Sequence, residues 1–121
     1  MGWIYGLKEN EIFVFGSNEA GIHGAGAAKQ ALMWGAKPFV GCGLVGKTYA
    51  LPTKDRNIKT LPLEKIEKYV EGFKKVAKQK PNLKFLVTEV GCGLAGYKPE
   101  HIAPFFKDSP SNVILPDNFK I

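Results

Sequence analysis

The sequence predicts an α/β fold of three layers, with helices on both faces of a mixed, mostly parallel sheet. Three observations carry this reading. Apolar, strand-like runs, Ile12-Phe13-Val14-Phe15 and Phe85-Leu86-Val87-Thr88-Glu89-Val90, alternate with segments of helical period. Both runs lead into glycine-rich segments. The second of these, Gly91-Cys92-Gly93-Leu94-Ala95-Gly96, repeats an upstream pattern, Gly41-Cys42-Gly43-Leu44-Val45-Gly46. Glycine permits positive φ and lets backbone approach a ligand closely, so glycine loops at strand ends suit phosphate recognition.

The elements follow in order. Glu11 to Gly16 reads as a buried strand ended by glycine. Ser17 to His23 is a loop, and Gly24 to about Trp34 a helix rich in Ala, Lys, Gln and Leu, with Gly35 as its stop. Lys37-Pro38 breaks the chain, and Phe39-Val40 and Lys47 to Leu51 read as short strands around the first glycine pattern. Pro52 to Lys59 is polar and loop-like. Pro62 to Gln79 is the clearest helix: Leu63, Ile66, Val70, Phe73 and Ala77 recur at helical spacing, opposite Lys68, Glu71, Lys75 and Lys78. Pro62 suits the first turn, with Thr60 or Leu61 as cap. Phe85 to Val90 is the second strong strand, Pro99 to Phe106 a short helix, and Asn112 to Leu115 a final strand.

A chain of 121 residues fits a single domain spanning 1–121. The net charge of +6 favours anionic partners. Arg56 is the only arginine, which argues against nucleic acid, because bidentate readout of phosphate and guanine prefers arginine. No apolar run approaches the length of a membrane span and no signal-peptide pattern opens the chain. The two cysteines sit in separate glycine segments, which fits reduced thiols. A cytoplasmic protein with no membrane partner is therefore expected. Cysteines and histidines are too few and too scattered for a zinc site, and no cofactor is implied.

Parallel strands place their ligand crevice at their carboxyl ends. The loops after Phe15 and after Val90 then share one rim, and Gly24–Ala28 faces Gly91–Gly96 across a slot suited to a diphosphate.

These segments resemble a known family. Phe15-Gly16-Ser17-Asn18, followed by Gly24-Ala25-Gly26-Ala27-Ala28, is similar to the first ligand segment of macrodomains, the ADP-ribose-binding α/β/α modules. Val90 to Pro99 resembles their second phosphate loop, glycines followed by an aromatic and a helix. The closest likeness is to the branch that removes terminal ADP-ribose from acidic side chains. That branch also carries a Thr-Lys pair like Thr53-Lys54 and a Gly-Cys-Gly-Leu loop. The whole chain also resembles small bacterial and phage proteins of this macrodomain-like type. The resemblance implies a compact mixed sheet and a ligand site built from Ser17, Asn18, Gly24, Ala25, Gly26, Ala27, Gly91, Cys92, Gly93, Leu94, Ala95, Gly96 and Tyr97. In it Asn18 would bond the distal ribose, and Tyr97 would either stack on the ligand or pack under the following helix.

The resemblance also implies Lys54 as a nucleophile able to form a Schiff base with an opened ribose. The glycohydrolase branch has an aspartate where this chain has Ala95, and other macrodomains have an aromatic there. The segment whose aspartate contacts adenine in the family has no counterpart here. Asp55 and Glu89 are the nearest candidates for a replacement acid or base. His23 precedes the first glycine loop, as a phosphate contact or a plain loop histidine, and His101 belongs on the surface. The leading expectation is a binder of ADP-ribose or a related nucleotide diphosphate. Its alternatives are an ADP-ribosyl hydrolase using Lys54, a sequestering protein for a nucleotide signal, and a basic nucleic-acid-associated protein.

Overall fold

The computed structural model describes residues 6–93 and 95–120. Five strands form one sheet in the order β2-β3-β1-β4-β5: β1 (Glu11–Asn18), β2 (Gly43–Val45), β3 (Thr48–Lys54), β4 (Lys84–Val87) and β5 (Val113–Ile114). β1 pairs in parallel with β3 and β4, and β4 with β5; only β2 runs antiparallel, against β3. Three helices accompany them: α1 (Gly26–Ala31), α2 (Leu63–Gln79) and α3 (Pro99–Ile102). The fold is the expected α/β fold on a mixed, mostly parallel sheet.

The alternation of β1 explains how its two faces are covered. Ile12 and Val14 join one core cluster with Ile66, Val70, Phe73 and Ala77 of α2 and Ile102 of α3. Phe13 and Phe15 join a second cluster with Ala28 and Ala31 of α1. Of the five α2 positions that the helical spacing singles out, Ile66, Val70, Phe73 and Ala77 are buried and Leu63 is partly buried against them. Phe73 anchors that side, meeting the rings of Tyr49, Phe85 and Phe106 edge-on at centroid distances of 5.0, 5.5 and 6.1 Å. Removal of such a ring costs about 3–5 kcal/mol.

Several boundaries differ from the sequence reading, each for a local reason. α1 starts at Gly26 and tightens into a 3₁₀ turn over Leu32–Trp34, before Gly35 stops it at φ 106° as expected. Phe39-Val40 is no strand: Phe39 has φ 69° and its N–H bonds the Gly21 carbonyl at 2.8 Å, so this segment crosses the loop after β1 instead of joining the sheet. The first glycine pattern is β2 and its hairpin turn, with Gly46 at φ 59°. β3 continues through Pro52 to Lys54; β2 pairs only with Thr48–Ala50, so at Pro52 that side of β3 has no strand neighbour and tolerates proline. Pro62 is itself the cap of α2, and its carbonyl accepts from the N–H groups of Lys65 and Ile66. β4 ends at Val87, because the Val90 N–H turns back to the Thr88 carbonyl at 2.7 Å and Gly91 adopts φ 80°.

Candidate functional site

Because β1, β3 and β4 are parallel, their carboxyl ends share one rim. The loops that leave them enclose a cavity of about 380 Å³, within the size range of small-molecule sites. The β1 loop contributes Gly24, Ala25, Gly26 and Ala27, and the β4 loop contributes Gly91, Gly93 and Ala95. The two glycine segments that sequence places across a slot therefore line one cavity. Ser17, Asn18, Lys54 and Glu89 line it too.

The walls are rich in unused donors. α1 begins without a side-chain cap. Among the described residues no acceptor meets the backbone N–H groups of Gly24 to Ala28, nor those of Gly91, Gly93 and Ala95. Helix starts and glycine turns of this kind attract anions. Gly24 and Gly93 share a further trait: neither has positive φ, and a β-carbon there would meet nothing within 4 Å. Gly91, by contrast, needs glycine for its φ of 80° and for Ile102, 3.2 Å from where its β-carbon would be.

Lys54 and Glu89 are the cavity's two ionisable side chains, and they do not pair with each other. Lys54 is half-buried, and its ammonium has no hydrogen-bond or ion-pair partner among the described residues. Glu89 accepts from the Asn118 amide, which reaches it from the 3₁₀ turn near the C-terminus.

Other expected site residues have structural employment. The Asn18 amide closes a ring on Ile22: Nδ2 donates to the Ile22 carbonyl at 2.8 Å and Oδ1 accepts from the Ile22 N–H at 2.9 Å. Asn18 thus shapes the loop with the groups expected to touch a ribose. The buried Ser17 hydroxyl donates to the Gly41 carbonyl. Asp55 does not line the cavity; its carboxylate accepts from the N–H groups of Asn57 at 2.8 Å and Lys59 at 3.0 Å, fixing the loop after β3. Tyr97 lies outside the cavity as well. Its ring packs on the main core and its hydroxyl donates to the Leu61 carbonyl at 2.7 Å, which is the packing role of its two alternatives. Gly96 and Cys92 are not on the cavity wall, and Leu94 lies outside the described residues.

Both thiols are protonated species. Burial first, then the nearby Glu89, pushes Cys92 up to about 11; burial and Glu19 push Cys42 up too. Thiols so shifted are poor nucleophiles. His23 is buried, with Nε2 within 3.0 Å of the Lys37 carbonyl and 3.2 Å of the Val40 carbonyl. It ties the crossing segment to the loop after β1 and is not part of the cavity wall. Among the described residues, no group of three His, Cys, Asp or Glu side chains could hold a metal ion.

Sequence reasoning left several lining residues unassigned, among them Ile22, Ile58, Thr53 and Thr88. Ile22 and Ile58 line the cavity although both are apolar and exposed. Thr53 and Thr88 spend their hydroxyls on the carbonyls of Ser17 and Val14, tying the strand ends together beneath it. The Asp55-Arg56-Asn57 run, a pattern suited to an Asx turn, was the available signal for the loop that carries Ile58.

The outer surroundings are polar but ordered. Glu19, one residue past β1, accepts from the Tyr69 hydroxyl and pairs with Lys65 at 3.1 Å, which links the rim to α2. No helix among the described residues is long and apolar enough to cross a membrane. No family model matches the chain, and no curated protein or solved structure matches it.

Proposed function

We propose that the cavity binds a nucleotide diphosphate of the ADP-ribose class, with the diphosphate held between the backbone of Gly24–Ala28 and that of Gly91, Gly93 and Ala95. One observation carries this reading: two glycine segments from neighbouring parallel strands converge on one cavity, and among the described residues the N–H groups of Gly24 to Ala28, Gly91, Gly93 and Ala95 meet no acceptor. Donors that meet no protein acceptor are free for a ligand, and a diphosphate supplies several acceptors at once. Lys54 adds a positive charge to the same wall. Water fills such a site in the free protein, and an anion that displaces it gains charge-assisted bonds.

A second reading, an ADP-ribosyl hydrolase, is favoured by the ammonium of Lys54, which has no partner among the described residues. The binder ranks first because Ala95 offers no acid in the loop where the glycohydrolase branch has one. A protein that sequesters a nucleotide signal would need the same cavity and no turnover. The likeness to bacterial and phage proteins suits such a role, and two free cysteines suit the cytoplasm.

Isothermal titration of the full chain with ADP-ribose, ADP and pyrophosphate tests the proposal. Saturable one-to-one binding of ADP-ribose, competed by pyrophosphate, is expected. No heat and no competition at millimolar ligand would reject it.

A further inference from the structure

Of the three described residues other than glycine with positive φ, one is a β-branched residue on the cavity wall: Ile58, at φ 62°. This conformation is sterically disfavoured for any side chain and is a genuine outlier for a branched one. Ile58 is nevertheless 40% exposed, so burial does not compensate the strain. Its loop is rigidly built. The Asp55 carboxylate accepts from Asn57 and Lys59, the Ile58 N–H bonds the Asp55 carbonyl at 3.1 Å, and Lys54 bridges Thr60 at the base.

Ile22 repeats the theme on the loop after β1. It is 52% exposed, it lines the same cavity, and Asn18 clamps its N–H and its carbonyl. Two aliphatic side chains are thus fixed in water at the cavity, each by a polar side chain bonded to the loop backbone. Strain and exposure held in place in this way are typical of ligand contacts.

We infer that Ile22 and Ile58 form an apolar clamp for the faces of the ligand's heterocyclic base, a step that rests on the nucleotide reading above. Aliphatic groups offer no hydrogen bonds, so the clamp would hold a base by burying its faces and would not read its edge. The ligand class is then a purine nucleoside diphosphate or its sugar conjugate, with adenine and guanine accepted alike and the smaller pyrimidine faces held less well. The polar wall of Gly24–Ala28, Lys54, Gly91, Gly93 and Ala95 would remain for the phosphates.

Binding of ADP, GDP, UDP and pyrophosphate to the wild type, Ile58→Asn and Ile22→Ser tests the clamp. Asn accepts positive φ, so Ile58→Asn keeps the loop; Ile22→Ser keeps both backbone bonds to Asn18. Thermal melts of both variants should match or exceed the wild type. Each variant should weaken ADP about tenfold, leave pyrophosphate unchanged, and in the wild type ADP and GDP should bind alike with UDP weaker. Unchanged ADP affinity in both variants, with pyrophosphate still bound, would overturn the clamp alone. Equal losses for ADP and pyrophosphate, or strong preference for ADP over GDP, would also overturn it. A wild type that binds neither ADP nor pyrophosphate would reject the nucleotide reading and the clamp together.

Discussion

A β-carbon on Gly41 would sit 2.1 Å from the carbonyl oxygen of Asn18. The two backbones pass so closely because the segment after Pro38 crosses the loop that leaves β1. The Ser17 hydroxyl, donating to the Gly41 carbonyl, and the Phe39 N–H, donating to the Gly21 carbonyl, pin the crossing. Gly21 faces the same constraint from the other side, 2.3 Å from the Phe39 carbonyl carbon by the same measure. This crossing holds the Asn18–Ile22 loop against the cavity.

Gly41→Ala should therefore damage the fold. The new methyl must push apart two backbones, and overpacking of this kind costs about 1–3 kcal/mol, more where neither chain can yield. A thermal melt should show a fall of roughly 5–12 °C. An unshifted melting temperature would mean the crossing is loose.

Gly93→Glu should do the opposite. A side chain there meets nothing within 4 Å and needs no unusual φ. Melting should stay within a degree or two of the wild type. Binding of ADP-ribose should be lost, since bulk and negative charge enter the cavity wall beside the proposed phosphates. Retained affinity in a normally folded variant would place the ligand elsewhere.

These two substitutions show what the glycine patterns made legible and what they hid. The alternation of strands and helices, the phase of α2 and the meeting of two loops on one rim all follow from apolar period and the parallel-sheet rule; the order of the strands within the sheet does not. The similarity of Gly41–Gly46 to Gly91–Gly96 does not survive in the backbone. Gly43 has φ 103° inside a strand and Gly46 turns a hairpin, whereas Gly93 has ordinary φ in an open loop. Letters alone do not distinguish a glycine that avoids a clash from one that leaves room. The uses of Asn18 and Asp55 were hidden for a related reason. A short polar side chain that bonds its own loop backbone looks, in sequence, like one aimed at a ligand.

Tyr69→Phe should uncover a pH-dependent link between α2 and the rim. The Tyr69 hydrogen bond, then the Lys65 pairing, hold the Glu19 carboxyl below the usual range against an opposing effect of burial. A lowered folded pKa means that the stabilisation is present above the ordinary glutamate range and is lost as pH falls through the lowered value. Tyr69 is pushed up to about 12, by burial first and then by Glu19. Its contribution is present below the ordinary tyrosine value and is lost as pH rises through about 12. The variant should melt a few degrees lower near neutrality, and the gap should close in acid. A gap that stays constant down to strongly acidic pH would show that packing of the ring edge, not the bond to Glu19, is responsible.

Phe39→Asn should stabilise the protein. Phe39 is 83% exposed at φ 69°, so it carries backbone strain with little burial in return. Asn adopts this region readily, and relief of about 1 kcal/mol corresponds to a rise of roughly 4 °C. The backbone bond to Gly21 is unaffected by the change. A lower melting temperature would show that the exposed ring makes contacts that outweigh the strain.

The last prediction separates binding from turnover at Lys54. The glycohydrolase chemistry needs an acid or base beside the lysine adduct, and this chain has Ala95 at the expected position. Asp55 is engaged by the N–H groups of Asn57 and Lys59, and Glu89 accepts from Asn118. Neither carboxylate pairs with Lys54. Lys54 should then act as a charge: Lys54→Ala should weaken ADP-ribose about tenfold at low salt, the size of one screened charge contact, while Lys54→Arg should recover most of the loss. The difference should shrink as salt rises. Incubation with an ADP-ribosylated protein should release no more than one equivalent of ADP-ribose per chain, and borohydride trapping should at most label Lys54. Rapid multiple turnover that vanishes in both Lys54→Ala and Glu89→Gln, with ADP-ribose affinity kept in the latter, would show that Glu89 supplies the missing acid and that the protein is a hydrolase first.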